Sequence, residues 1–177
     1  ITMRMWAEEA KGGTLELLLT LPVTLWQALL GKFLAAWLFI GLALGLTFPI
    51  WITVNYLGSP DNGVILAGYL GSWFMAGTFV AIGACLSALT RSQVIAFILT
   101  ALVCVLLILV GQPQVLEFFQ GTLPRRLINA VAHLSMLRHF GSIARGVLDL
   151  RDLLYFLLSI VGWLTAGVLL LDLKRTR

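Results

Sequence analysis

Apolar residues run through this chain in long blocks, and the polar residues gather between them. Four blocks carry no Asp, Glu, Lys, Arg or His: residues 33–54, 64–89, 94–111 and 153–171. About 20 mostly apolar residues in a helix cross the hydrocarbon core of a bilayer. The pattern therefore predicts an all-α, polytopic helical membrane protein, a single domain over 1–177 with four transmembrane helices. Gly41, Gly45 and Pro49 interrupt the first block, which lipid-embedded helices tolerate because neighbours satisfy the disturbed backbone groups. Gly41 with Gly45, Gly83 with Ser87 and Gly162 with Ala166 stand at the four-residue spacing that lets helices approach closely. Trp26, Trp51, Tyr56, Trp73 and Tyr155 fall near block ends, as an aromatic belt requires, and core or lipid packing accounts for them equally well.

The links between blocks carry the charge. Residues 55–63 are rich in turn formers and hold no Lys or Arg, whereas the tight link 90–93 holds Arg91. Lys174, Arg175 and Arg177 follow the last block, and Arg4, Lys11 and Lys32 precede the first. The positive-inside rule then puts both ends and the Arg91 link in the cytoplasm. Segment 112–152 must face outward, although it contains Arg125, Arg126, Arg138, Arg145 and Arg151. From Pro124 onward, Arg125, Arg126, Asn129 and His133 share one helical face while Leu127, Ile128, Val131 and Leu134 share the other. That is an amphipathic helix lying at the outer interface or re-entering it. The segment ends in "RGVLDLRD". Asp152 reads as the N-cap of the last span and Asp149 as a partner for Arg145. Arg145, Asp149, Arg151 and Asp152 together form a candidate outer gate, and a plain charged cap at an interface explains the same residues.

Composition narrows the class further. The chain is 60% hydrophobic and 11% charged, against about 25% charged residues in soluble domains. So little charge cannot coat a globule of this length. Net charge is +4, which in a soluble protein would raise nucleic acid as a partner. Here the basic residues serve topology, and no basic stripe interleaved with exposed aromatics is present. Cys85 and Cys104 sit inside apolar blocks without metal-ligand company. The chain opens on Ile1 with no signal-peptide pattern, and reads as an excerpt whose true N-terminus is missing.

Little catalytic chemistry is visible. Spans without ionisable residues weigh against a self-powered, ion-coupled transporter. Gly31-Lys32 lacks the upstream glycine of a P-loop, since Trp26 stands there. His133, His139, Ser135 and Ser142 cluster in the outer segment, but no nucleophile-elbow or HExxH pattern surrounds them, so the expectation is an interfacial role and no enzyme.

One short segment stands apart. In "EEAKGGTLELLLTLP", Gly12 and Gly13 break any helix and Thr14 can cap a new one. Glu16 falls in its first turn, where the helix dipole favours negative charge. Leu15, Leu17, Leu18, Leu19 and Leu21 make it apolar nearly all round, and Pro22 closes it. A helix of about two turns on the cytoplasmic side, within region 6–22, needs a cover: lipid, its own bundle or another protein.

The stretch from Glu8 and Glu9 through Gly13, Thr14, Leu15, Glu16 and Pro22 to Gly31-Lys32 resembles the cytoplasmic segment of ABC-2 type permeases, the membrane subunits of one class of ATP-binding-cassette transporter. "SALTRSQVIAFIL" and "HFGSIARGVLDLRDLLYF" are similar to the subgroup containing gliding-motility and nitrous-oxide-reductase-maturation permeases. The chain differs in carrying His139-Phe140-Gly141 where that subgroup more usually has His-Phe-Asp. The resemblance implies a six-span fold whose first span lies before Ile1. It implies that Glu8, Glu9, Gly13, Thr14, Leu15, Glu16 and Pro22 form a coupling helix docked on a separate cytosolic ATPase. ATP and magnesium would be bound there, with no cofactor in this chain. A second permease chain, identical or not, completes the expected assembly in a bacterial inner (plasma) membrane. Export driven by that ATPase is the expected function. The alternative is a membrane scaffold that recruits machinery without moving a substrate.

Overall fold

The computed structural model describes residues 24–90, 92–110, 112, 115 and 135–175, with side chains as far as Leu173. Region 6–22, Arg91 and the amphipathic stretch from Pro124 lie outside the described residues. The described part is all-helical: α1 (Leu25–Gly45), α2 (Phe48–Leu57), α3 (Asn62–Leu89), α4 (Gln93–Leu109), α5 (Met136–Ile143) and α6 (Leu150–Arg175). Three helical stretches are long and apolar enough to cross a membrane: Leu25–Leu57, Asn62–Leu89 and Leu150–Leu173.

α1 starts at Leu25, ahead of the span expected from Phe33. The cause is a reciprocal capping box. The Gln27 N–H donates to Thr24 Oγ1 at 3.3 Å, and the Thr24 N–H donates to Gln27 Oε1 at 3.1 Å, which satisfies two otherwise orphaned donors. Lys32 therefore lies inside the helix. The expected first span is also not one continuous helix. Pro49 has no N–H to continue the ladder, so the chain turns at Leu46 and Thr47, and Pro49 enters the first turn of α2, where a missing N–H costs nothing. The Thr47 hydroxyl donates to the Leu44 carbonyl at 2.6 Å and lies 2.8 Å from the Tyr69 hydroxyl of α3. The break is thereby stitched to its neighbour.

α3 is the axis of the bundle. Asp61 caps it, accepting from the Gly63 N–H at 2.8 Å, and it packs against α1, α4, α5 and α6. Its second half is nearly all small and buried, including Ala81, Gly83, Ala84, Ser87 and Ala88. That lets α6 come close: a Cβ on Gly167 would stand 3.4 Å from the Cys85 Cα. One cluster joins Leu29 and Phe33 of α1, Val80 and Ala84 of α3, and Ile160 and Leu164 of α6. The other joins Ile82 and Leu86 of α3, Met136 and Ile143 of α5, and Phe156 of α6.

α1 and α3 run antiparallel and are clasped by two tryptophans. Trp37 Nε1 donates to the Trp73 carbonyl at 2.9 Å, and Trp73 Nε1 donates to the Trp37 carbonyl at 3.2 Å. The rings stack with centroids 4.4 Å apart and planes 16° from parallel. Each indole lies over a glycine of the opposite helix. A Cβ on Gly41 would be 2.7 Å from Trp73 Nε1, and a Cβ on Gly77 would be 2.7 Å from Trp37 Nε1. Of the expected close-packing pairs, Gly83 and Ser87 are buried, but Gly45 and Gly162 face open space. Gly41 receives a ring rather than a helix backbone.

α4 lies at the edge. Only Ala96 is buried among its residues, and Val94, Phe97, Ile98 and Leu102 are more than half exposed. It has 17 residues, about 26 Å of helix at 1.5 Å per residue, near the lower limit for a span.

α5 and α6 meet at an elbow, residues 144–149. Gly146 there has φ +86°, and a Cβ would stand 2.9 Å from Val64 Cγ2. Both the left-handed backbone and the contact exclude a side chain. Gly146→Ala is expected to cost about 1–2 kcal/mol and to lower the melting temperature of the detergent-solubilised chain. An unchanged melting temperature would show that the elbow re-forms at negative φ.

Candidate functional site

The elbow brings together the charged residues singled out in the outer segment, in roles that differ from those expected. Ser135 caps α5, accepting from the Arg138 N–H at 3.3 Å. α5 then presents Met136, Phe140 and Ile143 to the core while Arg138 stays exposed. Ile143 sits against Gly71 of α3, where a Cβ would come within 2.7 Å of its Cγ2. This seating fixes α5 on the bundle and places His139 over the start of α6.

Asp152 does not cap the last span. α6 begins two residues before it, and Asp149 takes the capping role: its carboxylate accepts from the Arg151 N–H at 3.1 Å, and its carbonyl accepts from the N–H groups of Asp152 and Leu153. Asp149 accordingly forms no ion pair with Arg145 among the described residues. Asp152 instead turns inward, where it is 7% exposed, and places Oδ1 2.6 Å from His139 Nδ1. The His139 ring stacks on Tyr155 with centroids 4.1 Å apart, and Tyr155 meets Phe156 edge-on. The imidazole is thus held by a carboxylate at one edge and an aromatic face below. Arg145 lies exposed in the turn after α5, and Arg151 exposed in the first turn of α6.

Sequence reasoning missed the His139–Asp152 pair. The available signal was weak: a histidine and an aspartate thirteen residues apart, separated by a glycine-containing turn that could fold them together. Ser135, weighed as a nucleophile, uses its hydroxyl as a cap. Among the described residues no three His, Cys, Asp or Glu side chains are placed to hold a metal ion. Glu8, Glu9, Gly13, Thr14, Leu15, Glu16 and Pro22, expected to form a coupling helix, and also His133, lie outside the described residues.

A bundle of long apolar helices around a small-residue axis, with most of the charge near helix ends and in links, defines a multi-pass helical membrane protein. Residues 1–172 match the family model described as ABC-2 family transporter protein, and the chain belongs to that family. It is a membrane-spanning permease subunit of an ABC transporter. No curated protein and no solved structure matches it.

Proposed function

We propose that this permease exports its substrate, driven by ATP hydrolysed in a separate cytosolic ATPase. Two permease chains would work with two ATPases in a bacterial inner membrane, and both visible ends of this chain would be cytoplasmic. Region 6–22 is the coupling helix in this reading, with Glu16 in its first turn and Leu15, Leu17 and Leu18 against the ATPase. ATP and magnesium belong to the partner. Arg145, Asp149, Arg151 and Asp152 border the outer mouth, where the His139–Asp152 pair holds the elbow in one conformation. The subgroup is that of the gliding-motility and nitrous-oxide-reductase-maturation permeases.

The observation that carries this reading is the family match, which runs through the front stretch as well as the spans. It is supported by blocks 33–54, 64–89, 94–111 and 153–171, none of which holds an acid, base or histidine to bind a coupling ion. Glu16→Lys reverses the charge at the dipole-favoured first turn. In proteoliposomes with the ATPase it is expected to retain ATP hydrolysis while transport falls at least tenfold. Wild-type transport by that variant would remove Glu16 from the coupling role. Hydrolysis without any substrate movement by the parent would favour a scaffold.

A further inference from the structure

Arg138, Arg145 and Arg151 surround the α5–α6 elbow with exposed side chains. Among the described residues no guanidinium of the three has a hydrogen-bond or ion-pair partner. The nearby acids are engaged elsewhere, since Asp149 accepts from a backbone N–H and Asp152 from His139. Arg138 lies in α5 and Arg145 in the turn just past its end. Arg151 follows on the other arm of the elbow.

The surface between these arginines is apolar. Val147, Leu148 and Leu150 are 58%, 48% and 69% exposed, and the apolar exposure continues along α6 through Leu154, Leu158 and Val161. The same elbow therefore shows greasy residues continuous with the membrane-facing surface of a spanning helix, rimmed by unpaired guanidinium groups. Water would leave the apolar part unsatisfied, and the hydrocarbon core would leave the arginines unsatisfied. The boundary between acyl chains and headgroups satisfies both. Guanidinium forks bind phosphate oxygens bidentately. With three free cations, a headgroup carrying no ammonium of its own fits better than a zwitterionic one.

We infer that the α5–α6 elbow is a binding surface for an anionic phospholipid, with Val147, Leu148 and Leu150 among the acyl chains and Arg138, Arg145 and Arg151 on the phosphate. This accounts for arginines on the face where the positive-inside rule disfavours them. It rests on the membrane-spanning fold and not on ATPase coupling.

The test uses the full chain in mild detergent, titrated with phosphatidylglycerol and followed by native mass spectrometry. The parent is expected to retain phosphatidylglycerol well above phosphatidylcholine. R138Q/R145Q/R151Q is expected to weaken that retention about a hundredfold, and R138K/R145K/R151K to weaken it less, because charge remains without the fork. V147S/L148S, with all three arginines intact, is expected to lose lipid as well, and free glycerol phosphate is expected not to compete. A melting temperature for each variant checks its folding. Three results overturn the inference: unchanged retention by the folded glutamine variant, equal retention of phosphatidylcholine by the parent, or displacement of the lipid by glycerol phosphate, which would mark a site for a soluble anion.

Discussion

Asp152→Ala is expected to loosen the elbow and lower stability by about 1–3 kcal/mol, since it strips a half-buried histidine of the carboxylate at its Nδ1. The pair lies 2.6 Å apart, with side chains 18% and 10% exposed. Whichever proton state His139 holds, the substitution leaves a polar edge in an apolar setting. Asp152→Asn retains an acceptor oxygen but no charge, and should recover roughly half of the loss. Cys85, a free thiol buried in α3, supplies the readout once the half-buried Cys104 is replaced by serine: a thiol-reactive dye should label it at a lower temperature in the alanine variant. Coincident labelling curves for alanine and parent would mean that the pair adds nothing to the elbow. The effect on function should track the stability effect, because α5 is seated by Ile143 on one side and by this pair on the other.

The second large effect is expected at Gly77. A leucine there must enter a place where the first added carbon already lies 2.7 Å from Trp37 Nε1 and 3.1 Å from Ile160 Cδ1. The indole cannot swing aside without breaking its hydrogen bond to the Trp73 carbonyl. Overpacking of a tight core typically costs about 1–3 kcal/mol, and the lost indole bond adds about 1 kcal/mol. Gly77→Leu should therefore give poorly assembled protein that elutes broadly in detergent. Gly162→Leu is its control, since nothing lies within 4 Å of that position, and it should elute like the parent. A sharp, parent-like profile for Gly77→Leu would show that α1 and α3 can separate at low cost.

The sequence made the spans legible and the crossings illegible, for a physical reason. Long charge-free blocks report transfer into lipid, a property of each segment alone. Accordingly α3 starts two residues before its block and ends with it, and α6 runs about a turn beyond its block at each end. Boundaries depended on single side chains: Thr24 with Gln27 moved α1 outward, and Pro49 split it from α2. Contacts between distant positions left no local trace. Trp73 fell near a block end and fitted an aromatic belt, but it belongs to a clasp with Trp37 at 36 residues' separation. Asp152 stood in the right place for a cap, and its actual partner became visible only once the elbow brought α5 over α6. Arg145, Asp149, Arg151 and Asp152 lie along one elbow, and neither aspartate forms an ion pair with either arginine among the described residues. For residues 6–22, capping and an apolar run predict only a short helix needing a cover, and the proposed coupling role of Glu8 through Pro22 rests on the family resemblance.

The tryptophan clasp also acts as a two-point key. Trp37 and Gly41 are four residues apart on one helix, and Trp73 and Gly77 are four apart on its antiparallel neighbour. Each ring lies over the other helix's glycine while its N–H holds the other helix's carbonyl. A slide of α1 along α3 by one turn would unseat both rings and both bonds together, with no intermediate register that keeps either. These two helices must then travel as one piece through any transport cycle. Any give then falls to the peripheral α4, where only Ala96 is fully buried while Leu99, Val103, Cys104 and Leu107 pack half-buried against the core.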